Sequence, residues 1–580
     1  MKFRSCIILL VAGTLGAAWH LTPAHAATTR YVAPAPTGND TNNPCSNSAS
    51  PCASIQHAIT MAQSGDGISI AAGTYREHLN VTTSVNLQGP ITGTAIVDGA
   101  KNGVVLTNTG TVFLSYLTLE NGLGSSGGGV VNKGTLTVDH SVIRDNTAVG
   151  SYGSSGYPAT NGYGGAIYNT GTLMVQYSTL SGNRAIGGNS GDITIPGGSG
   201  IGGGIFNIRY SHLSVSTSTF AGNMAIGGAG SSTPGISSGT GFTGGSAYGG
   251  AIASVVGGSI TTSLFVNNHA VGGAGGALDA SLATTGGTGG DAGGGALNNS
   301  IIFGVGSMVV SNSTFTGNGA SGGMGGTGGT GGIGGAADGG AIRSGFGTLS
   351  LLNVTLANDA ASGGLAGVGG TDDGTAGAAL ATELHGDIQI TIKNTILTNT
   401  GSATLCTGTV TGDSHNLQST GGNCPGIPAG DAKLNPLANN GGPSQTMALA
   451  QGSAALLAGD DTVCAAAPVN AVDQRLMSRP FGAHCDLGAF EGVAGAPTAA
   501  RVARLTASRH GSSVTFRWRL AVSTDVRGFD LYAGVHHLNR RLIPVHRSAS
   551  YSYAAHWAGT GSYSLHVVLT DGTEIVFPLH

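Results

Sequence analysis

A repeated phrase constrains the fold of this chain more than any other feature of its sequence. It joins a glycine pair to a small residue and an apolar one, as in GGGVVNKGTLTV from Gly127 and GGAIYNTGTLMV from Gly164. Shorter forms start at Gly202, Gly249, Gly294, Gly339 and Gly377. Successive starts lie 37, 38, 47, 45, 45 and 38 residues apart. Such a period is typical of solenoids, in which each unit buries its apolar face only by stacking on its neighbours.

Each unit carries a second phrase that ends in asparagine, such as STLSGN or STFAGN. The equivalent positions are Asn146, Asn183, Asn223, Asn268, Asn318, Asp359 and Asn399. A side-chain amide both donates and accepts hydrogen bonds, and asparagine tolerates the left-handed backbone of tight turns. Stacked copies can therefore bond to one another. We interpret this column as a structural ladder rather than a catalytic row, with Asp359 as a variation that suits the same turn.

Short β-branched runs with alternating apolar positions, such as residues 171–175, predict strands separated by glycine and asparagine turns. Stacking at the ~4.8 Å spacing of hydrogen-bonded strands would align equivalent apolar residues of successive coils in inward columns. One expected column is Ile167, Ile205, Ile252 and Ile342, and another is Leu180, Phe220, Phe265 and Phe315. The sequence thus predicts an all-β chain whose central part is a parallel β-helix.

The units are longer than the ~22 residues that one coil needs, and the excess is rich in glycine. The insertions 187–201, 227–248, 272–293 and 319–338 start after the ladder position and end at the glycine pair, so they must leave the solenoid on one side. The chain has 105 glycines and only 9% charged residues. Glycine loses much conformational entropy on folding. Two alternatives stay open for the insertions: disorder, or packing as extended glycine strands.

The N-terminus has the pattern of a secretory signal, with Lys2 and Arg4 before an apolar run and Ala24-His25-Ala26 as a cleavage site. No later run approaches the ~18 apolar residues of a membrane span. We therefore expect a secreted, extracellular or cell-surface protein. Without Lys2 and Arg4, 21 basic residues remain against 27 acidic ones, a formal charge of −6. No basic stripe indicates nucleic acid as a partner.

Six cysteines follow the signal, and they fall in close pairs. The pairs are Cys45 with Cys52, Cys406 with Cys424, and Cys464 with Cys485. In an oxidising compartment, proximity predicts three local disulfides, although six cysteines permit 15 pairings. A zinc site is disfavoured because CxxC spacing and nearby paired histidines are absent.

The GGAI and STFxGN phrases between Gly127 and Asn399 resemble the repeats of polymorphic outer membrane proteins and related bacterial right-handed β-helix proteins. Upstream, CASIQHAITMAQSGDGISIAAGTYREHLNV from Cys52 is similar to the opening segment of many extracellular β-helices. It implies a short amphipathic helix that caps the first coil, followed by a strand at GTYRE. The resemblance implies a right-handed parallel β-helix with glycine-rich insertions on one side.

Downstream, LNPLANNGGPSQTMALAQGSAALLAGD from Leu434 and DQRLMSRPFGAHCDLGAFEG from Asp473 resemble the choice-of-anchor Q segment, which closes such helices in exported bacterial proteins. The last 81 residues resemble a small fibronectin type III-like β-sandwich, with Trp518 in its core and Tyr532 and Tyr563 framing that core. We accordingly divide the chain into a signal peptide 1–26, a cap with the first coils 27–126, the glycine-rich repeats 127–400, the last coils with the closing segment 401–492, a linker 493–499 and the sandwich 500–580.

Many β-helices cleave polysaccharides with clustered acids, and some hold calcium there. In the repeats of this chain the only adjacent acidic pair is Asp372-Asp373, which lacks the GHG and RIK companions of polygalacturonases. Asp291 and Asp338 precede glycine pairs and suit turns, and Glu77 belongs to the GTYRE motif of the opening segment. We predict no catalytic residue, no cofactor-binding residue and no metal ligand.

The leading hypothesis is a non-enzymatic secreted or cell-surface scaffold, adhesin-like, that contacts extracellular glycans, matrix or cell-surface components. The alternative is a polysaccharide-active, pectin lyase-like enzyme with a divergent site, and a third possibility is a passive structural protein of the envelope. The sandwich is locally basic, with nine arginines against four acids. Its basic face is either simply solvated or a docking surface for acidic surface glycans or a secretion partner.

Overall fold

The fold is seen in a computed structural model of the chain. The residues it describes are 27–154, 157–191, 195–232, 238–299, 307–345, 347–372, 384–399, 404–492, 501–522, 526–534, 536–539, 541–545, 550–557, 559, 562–569 and 574–579. The predicted signal peptide 1–26, residue Asp373 and the repeat start at Gly377 lie outside this part of the chain.

The described part of 27–418 is a right-handed parallel β-helix, as predicted, and each coil adds strands to long parallel sheets. The front sheet receives two strands from most coils. Its strands are Thr29–Val32, Gly67–Ile70, Leu79–Val81, Val85–Gln88, Leu106–Asn108, Thr111–Ser115, Val130–Asn132, Thr135–Asp139, Ile167–Asn169, Thr172–Gln176, Ile205–Asn207, His212–Ser216, Ile252–Ser254, Gly257–Thr261, Leu297–Asn299, Ser307–Ser311, Ile342–Ser344, Thr348–Leu352, Leu384–Lys393 and Cys406–Thr411.

A rear sheet and, between Leu123 and Ser362, a side sheet complete the coils. The rear sheet contains Gly73–Tyr75, Ala95–Asp98, Leu117–Glu120, Val142–Arg144, Thr179–Ser181, Thr219–Ala221, Leu264–Val266, Thr314–Thr316, Thr355–Ala357, Ile396–Thr398 and Leu417–Gln418. The side sheet contains Leu123–Gly124, Thr147–Val149, Arg184–Ile186, Met224–Ile226, His269–Val271, Gly319–Ser321 and Ala360–Ser362.

Two further parallel sheets belong to the insertions. The return sheet contains Gly162–Tyr163, Gly200–Ile201, Ala247–Tyr248, Ala292–Gly293 and Ala337–Asp338. The tip sheet contains Ser238–Thr240, Ala283–Thr285, Gly328–Thr330 and Gly369–Asp372. The return sheet pairs successive insertions from Gly162 onward and the tip sheet pairs them from Ser238 onward, so the insertions are stacked in the same order as the coils.

The core of the solenoid consists of buried columns that follow the repeat. Ile167, Ile205 and Ile252 are paired in register and fully buried, as expected from their equivalent positions. In the second column, Phe220 stacks on Phe265 at 4.9 Å between ring centroids, and Phe265 stacks on Phe315 at 4.5 Å. Burial contributes roughly 1.5–3 kcal/mol for each such side chain, so the columns hold successive coils together.

Helix Ile55–Met61 covers the first coil, and its apolar side is buried at Ile55, Ala58 and Ile59. Ser54 caps the helix, and the carboxylate of Glu77 accepts hydrogen bonds from the backbone N–H groups of Ile55 at 2.9 Å and Gln56 at 2.8 Å. These N–H groups have no partner within the helix. Glu77 therefore supplies the hydrogen-bond acceptors at this end of the solenoid.

All three predicted disulfides are present. Cys45–Cys52 lies beside the cap helix, Cys406–Cys424 closes the far end of the core together with Ile427, and Cys464–Cys485 lies in the closing segment. The second helix, Asp461–Ala465, is in the same segment. In the described part of the chain, neither helix is long or apolar enough to cross a membrane.

The closing segment lies along the side of the last coils rather than across their end. Leu487 packs against the outward side chain of Ile396 on the rear sheet. The backbone N–H of Ala489 donates to Thr355 Oγ1 at 3.0 Å, and the hydroxyl of Thr314 donates to Gln474 Oε1 at 2.6 Å. The segment thus covers three successive strands of the rear sheet.

The C-terminal part has two antiparallel sheets. One contains Arg501–His510, Ser513–Val522 and Ser550–His556, and the other contains Val526–Ala533, His536–His537, Ile543–Pro544, Tyr563–Leu569 and Glu574–Leu579. Trp518 is 2% exposed between them and contacts Phe529 and Tyr551. The assignment of this module as fibronectin type III-like stays a proposal.

Candidate functional site

Each insertion forms a pair of glycine arms: an outgoing arm that follows a side-sheet strand, and a return arm that leads back to the front sheet. The return arm ends at the first glycine of the repeated pair, which has a left-handed backbone, with φ of 61° at Gly164 and 65° at Gly249. A Cβ on Gly249 would lie 2.2 Å from the carbonyl oxygen of Ile252. Only glycine fits this corner, which explains why the repeated phrase starts as it does.

Exposure along the pair of arms in insertion 319–338 follows a period of three. Met324, Thr327, Thr330 and Ile333 are exposed, whereas the two glycines between each of them are buried. Three residues per turn without internal hydrogen bonds is the geometry of a polyproline II helix. The GGX pattern of residues 322–335 therefore predicts which positions face outward.

Arms of the same kind bond to one another from coil to coil. Among the outgoing arms, the N–H of Gly275 donates to the carbonyl of Met324 at 2.8 Å, and that of Gly325 donates to Leu365 at 2.9 Å. Among the return arms, the N–H of Gly244 donates to Thr288 at 2.9 Å. The arms thus form two layers, one outgoing and one returning.

A zigzag of backbone hydrogen bonds joins the two layers. The donor and acceptor pairs, at 2.7–2.8 Å, are Gly198 to Gly188, Gly228 to Gly198, Gly245 to Gly228, Gly273 to Gly245, Gly290 to Gly273, Gly323 to Gly290, Gly335 to Gly323 and Gly364 to Gly335. A Cβ on Gly290 would lie 2.0 Å from the carbonyl oxygen of Gly245. We call this two-layered body the glycine sandwich. Packing rather than disorder is therefore the alternative that the described insertions adopt.

The outward positions of the sandwich form rows. Equivalent positions of the outgoing layer carry Asn189, Ala229, Ala274, Met324 and Leu365. Large apolar side chains collect on the last two described outgoing arms, where Met324 is 53%, Leu365 68% and Val368 64% exposed. We call these three residues the apolar end. Ile333, on the return layer, is also 53% exposed.

Aromatic side chains brace the sandwich where it meets the front sheet. The ring of Tyr163, on the return sheet, stacks on Phe206 of the front sheet at 5.1 Å. Further along, the guanidinium of Arg343 lies 5.5 Å from the ring centroid of Tyr248, and its Nε is 3.5 Å from Asp338 Oδ2. These contacts link arms to coils through side chains as well as through the backbone.

The predicted asparagine column is brought together as a continuous, buried chain of hydrogen bonds. The side-chain Nδ2 donates to the next Oδ1 from Asn146 to Asn183, Asn183 to Asn223, Asn223 to Asn268, Asn268 to Asn318 and Asn318 to Asp359, at 2.8–3.0 Å. Asn399 instead donates to the backbone carbonyl of Asp359. From Asn146 to Asp359, the residue before each ladder position is left-handed, as at Asp145 and Gly222, so the ladder side chain can turn inward. The turn is thus left-handed at the residue that precedes the asparagine and not at the asparagine itself.

A second ladder was not anticipated. The Nδ2 of Asn108 donates to Asn132, that of Asn132 to Asn169 and that of Asn169 to Asn207, at 2.7–2.8 Å, all within the front sheet. The signal was present in the sequence, because asparagine ends VVN, IYN and IFN of the repeated phrase at the same place.

The isolated acids that we weighed as ligands serve structural contacts where they are described. Asp291 Oδ1 accepts from the N–H of Ala336 at 2.8 Å, so it bridges two return arms. Asp372 ends a tip-sheet strand. Its side chain and the whole of Asp373 lie outside the described part of the chain. Within the described residues, the single close group of three possible metal ligands is Cys45, Cys52 and His57, and its two sulfurs are bonded to each other.

A cluster of charged side chains is buried in the closing segment. Arg479 is fully buried beside Glu491, at 3.7 Å, and Arg475 Nη2 lies 2.6 Å from Asp473 Oδ2. Burial raises the pKa of Glu491 to about 7, although Arg479 acts in the opposite direction. Burial likewise raises the pKa of Asp486. This cluster is enclosed by its own segment and the last coils, so it holds the segment in place rather than facing a ligand.

No protein-family model and no curated protein matches this chain. Among solved structures, it resembles pectate lyase Pel9A at 14% identity and a TM-score of 0.35, over 81% of this chain and 97% of that one. It also resembles XylC in complex with xylose, at 9% identity and 0.36, over 80% and 98% of the two chains. A mannuronic acid-specific family 6 lyase from human gut microbiota is similar at 11% identity and 0.24, over 63% and 87%. At these values, none of the three bears on what this chain binds or does.

Proposed function

We propose that this chain is a non-enzymatic extracellular scaffold, adhesin-like, whose glycine sandwich contacts a partner on a cell surface or in the surrounding matrix. The observation that carries the proposal is the apolar end, where Met324, Leu365 and Val368 are each more than half exposed on adjacent arms. Large contiguous apolar side chains are costly to leave in water and commonly mark interaction sites. The three disulfides suit an oxidising compartment outside the cytoplasm.

The construction of the glycine sandwich supports the presentation of side chains to a partner rather than catalysis. Its interior is backbone alone, held by hydrogen bonds of 2.7–2.8 Å between layers, so outward side chains are presented on a rigid support. A rigid surface loses little conformational entropy when a partner binds. The braces at Tyr163 and Arg343 fix the sandwich to the solenoid. The solenoid then serves as a long spacer that carries this surface.

The test is a binding assay with the secreted, signal-free chain against bacterial cells, host cells and matrix proteins. We expect wild-type protein to bind at least one of these, and the triple variant Met324→Ser, Leu365→Ser, Val368→Ser to lose most of that binding. The matched control is Ala229→Ser with Ala274→Ser, which changes outward positions of the same layer away from the apolar end. Equal binding by the triple variant and wild type would refute the assignment of this surface.

The same preparations are incubated with acidic and neutral polysaccharides, with and without calcium. Turnover of a polysaccharide that is abolished by Asp373→Ala would replace the scaffold proposal with the enzymatic alternative. Absence of binding to every cell and matrix sample would instead favour a passive envelope protein.

A further inference from the structure

The three-stranded sheet of the C-terminal module has one face that differs from every other surface described above. Along Ser513–Val522, Phe516, Trp518 and Leu520 are buried, whereas Arg517 and Arg519 between them are exposed. The alternation follows from the period of two along a strand. This strand therefore places its apolar residues in the module core and its arginines on the outer face.

The neighbouring strands add hydroxyl groups to that face. In the strand register, Arg517 lies between Thr506 and Ser552, and Arg519 is opposite Ser550. Thr506, Ser550 and Ser552 are exposed. The outer face thus combines guanidinium groups with the hydroxyl groups of serine and threonine. Its described outward positions include His510 and His556 at one end and hold no phenylalanine, tyrosine, tryptophan or apolar side chain larger than alanine.

The charge of the face is of one sign. The three strands of the sheet contain five arginines and no aspartate or glutamate, and among the described side chains Arg517 and Arg519 lie on the outer face. The described acids of the module lie in the other sheet, where Asp530 bonds to His537 at 2.9 Å and Glu574 to His566 at 2.8 Å. In the strand register, Arg519 is also opposite Arg504.

We propose that this arginine and hydroxyl face binds an acidic polysaccharide. Guanidinium groups bind carboxylates and sulfates through paired hydrogen bonds, and Arg517 and Arg519 stand about 7 Å apart along the strand. The serine and threonine hydroxyls are suited to sugar hydroxyls between the anionic groups. A protein partner would be expected to use exposed tyrosine or tryptophan anchors, which the described outward positions of this face lack. The site is separate from the glycine sandwich and stands whether or not the sandwich binds a partner.

The experiment measures binding of the signal-free full chain to immobilised polygalacturonate, heparin and neutral dextran. Wild type is expected to bind polygalacturonate or heparin and not dextran, with affinity that falls as salt is raised, because the contacts are ionic. The variant Arg517→Ser with Arg519→Ser is expected to bind at least about tenfold more weakly, since two charge-assisted contacts are lost. Both positions are exposed, so unchanged thermal unfolding checks that the module folds.

The matched control is Arg527→Ser, which removes an exposed arginine from the other sheet and should retain binding within about twofold. The proposal is overturned if the double variant binds as wild type does, if Arg527→Ser loses binding equally, or if no acidic polysaccharide binds. Tighter binding to double-stranded DNA, used as a competitor, would overturn the assignment of the ligand class.

Discussion

The side-chain amide of Asn318 donates a hydrogen bond to Asp359 Oδ1 at 2.8 Å, and the backbone N–H of Asn318 donates to the same oxygen at 2.6 Å. All ladder amides point the same way, so the chain of donors that starts at Asn146 ends at Asp359. The side chain of aspartate has oxygens that accept such hydrogen bonds and no N–H group that could donate one. Aspartate at position 359 therefore suits the end of this run of amide donors.

Removing a central rung should destabilise the solenoid. Asn223 is fully buried, accepts from the side chain of Asn183 and donates to Asn268. Asn223→Ala leaves buried donors and acceptors without partners, so we expect the free energy of unfolding to fall by roughly 2–4 kcal/mol. Urea unfolding measures it. Asn102→Ala, at an exposed turn, should change stability by less than about 0.5 kcal/mol. Equal effects of the two substitutions would contradict a contribution of the ladder to stability.

A methyl group inside the glycine sandwich should disrupt the arms while sparing the coils. Gly290→Ala would place Cβ 2.0 Å from the carbonyl oxygen of Gly245, a contact that requires the layers to separate. Overpacking of this kind costs roughly 1–3 kcal/mol or more. We expect faster amide hydrogen exchange in 241–245 and 286–290, with the front sheet unchanged. Thr288→Ala, on the outward side of the same arm, is the control, and identical exchange in the two variants would count against the layered packing.

The stability of the solenoid should depend on the volume of the side chain at position 265, in the column of stacked phenylalanines. Phe265 is fully buried between Phe220 and Phe315. Phe265→Ala creates a cavity and removes both ring contacts, so we expect a loss of roughly 3–5 kcal/mol. Phe265→Leu keeps most of the apolar volume and should cost clearly less, because Leu180 already occupies the equivalent position. Thermal unfolding of the two variants side by side is the measurement. A leucine variant as unstable as the alanine variant would show that ring stacking, not volume, dominates.

The closing segment should lose stability as pH rises through the titration range of Glu491. Its pKa is about 7 in the folded chain, above the ordinary value of 4.5, because of burial. Between these values the folded state holds a proton that the unfolded state releases. The contribution is therefore fully present below about pH 4.5 and is lost towards pH 7, with a slope of at most about 1.4 kcal/mol per pH unit. Unfolding midpoints between pH 4.5 and 8 should depend less on pH in Glu491→Gln, and parallel curves for the two proteins would exclude this effect.

Much of the solenoid could be predicted because its interior follows side-chain periodicity. Ile167 and Phe265 recur with the repeat and reach the core for that reason. The cysteine pairs were predictable from proximity. The excess of arginine over acidic residues predicted a basic face on the C-terminal module. The strand register was needed to identify which of the nine arginines lie on the same face.

The glycine sandwich was harder to predict because glycine carries no apolar side chain to mark an inward face. The useful signal was the period of three in GGMGGTGGTGGIGG, which is typical of a three-residue helical turn. The position of the closing segment also depended on contacts between residues far apart in sequence. Thr314 and Gln474 are separated by 160 residues, and no local pattern relates them.

The side-chain-free interior of the glycine sandwich has an evolutionary consequence. A substitution at an outward position such as Ala274 or Thr288 leaves the hydrogen bonds between layers intact, whereas a substitution at Gly273 or Gly290 does not. Selection can therefore change the outward side chains of this surface one codon at a time, with little cost in foldability. Whole GGX triplets could also be gained or lost without changing which residues face outward. Variation among natural descendants of this chain should accordingly concentrate at every third residue of the arms.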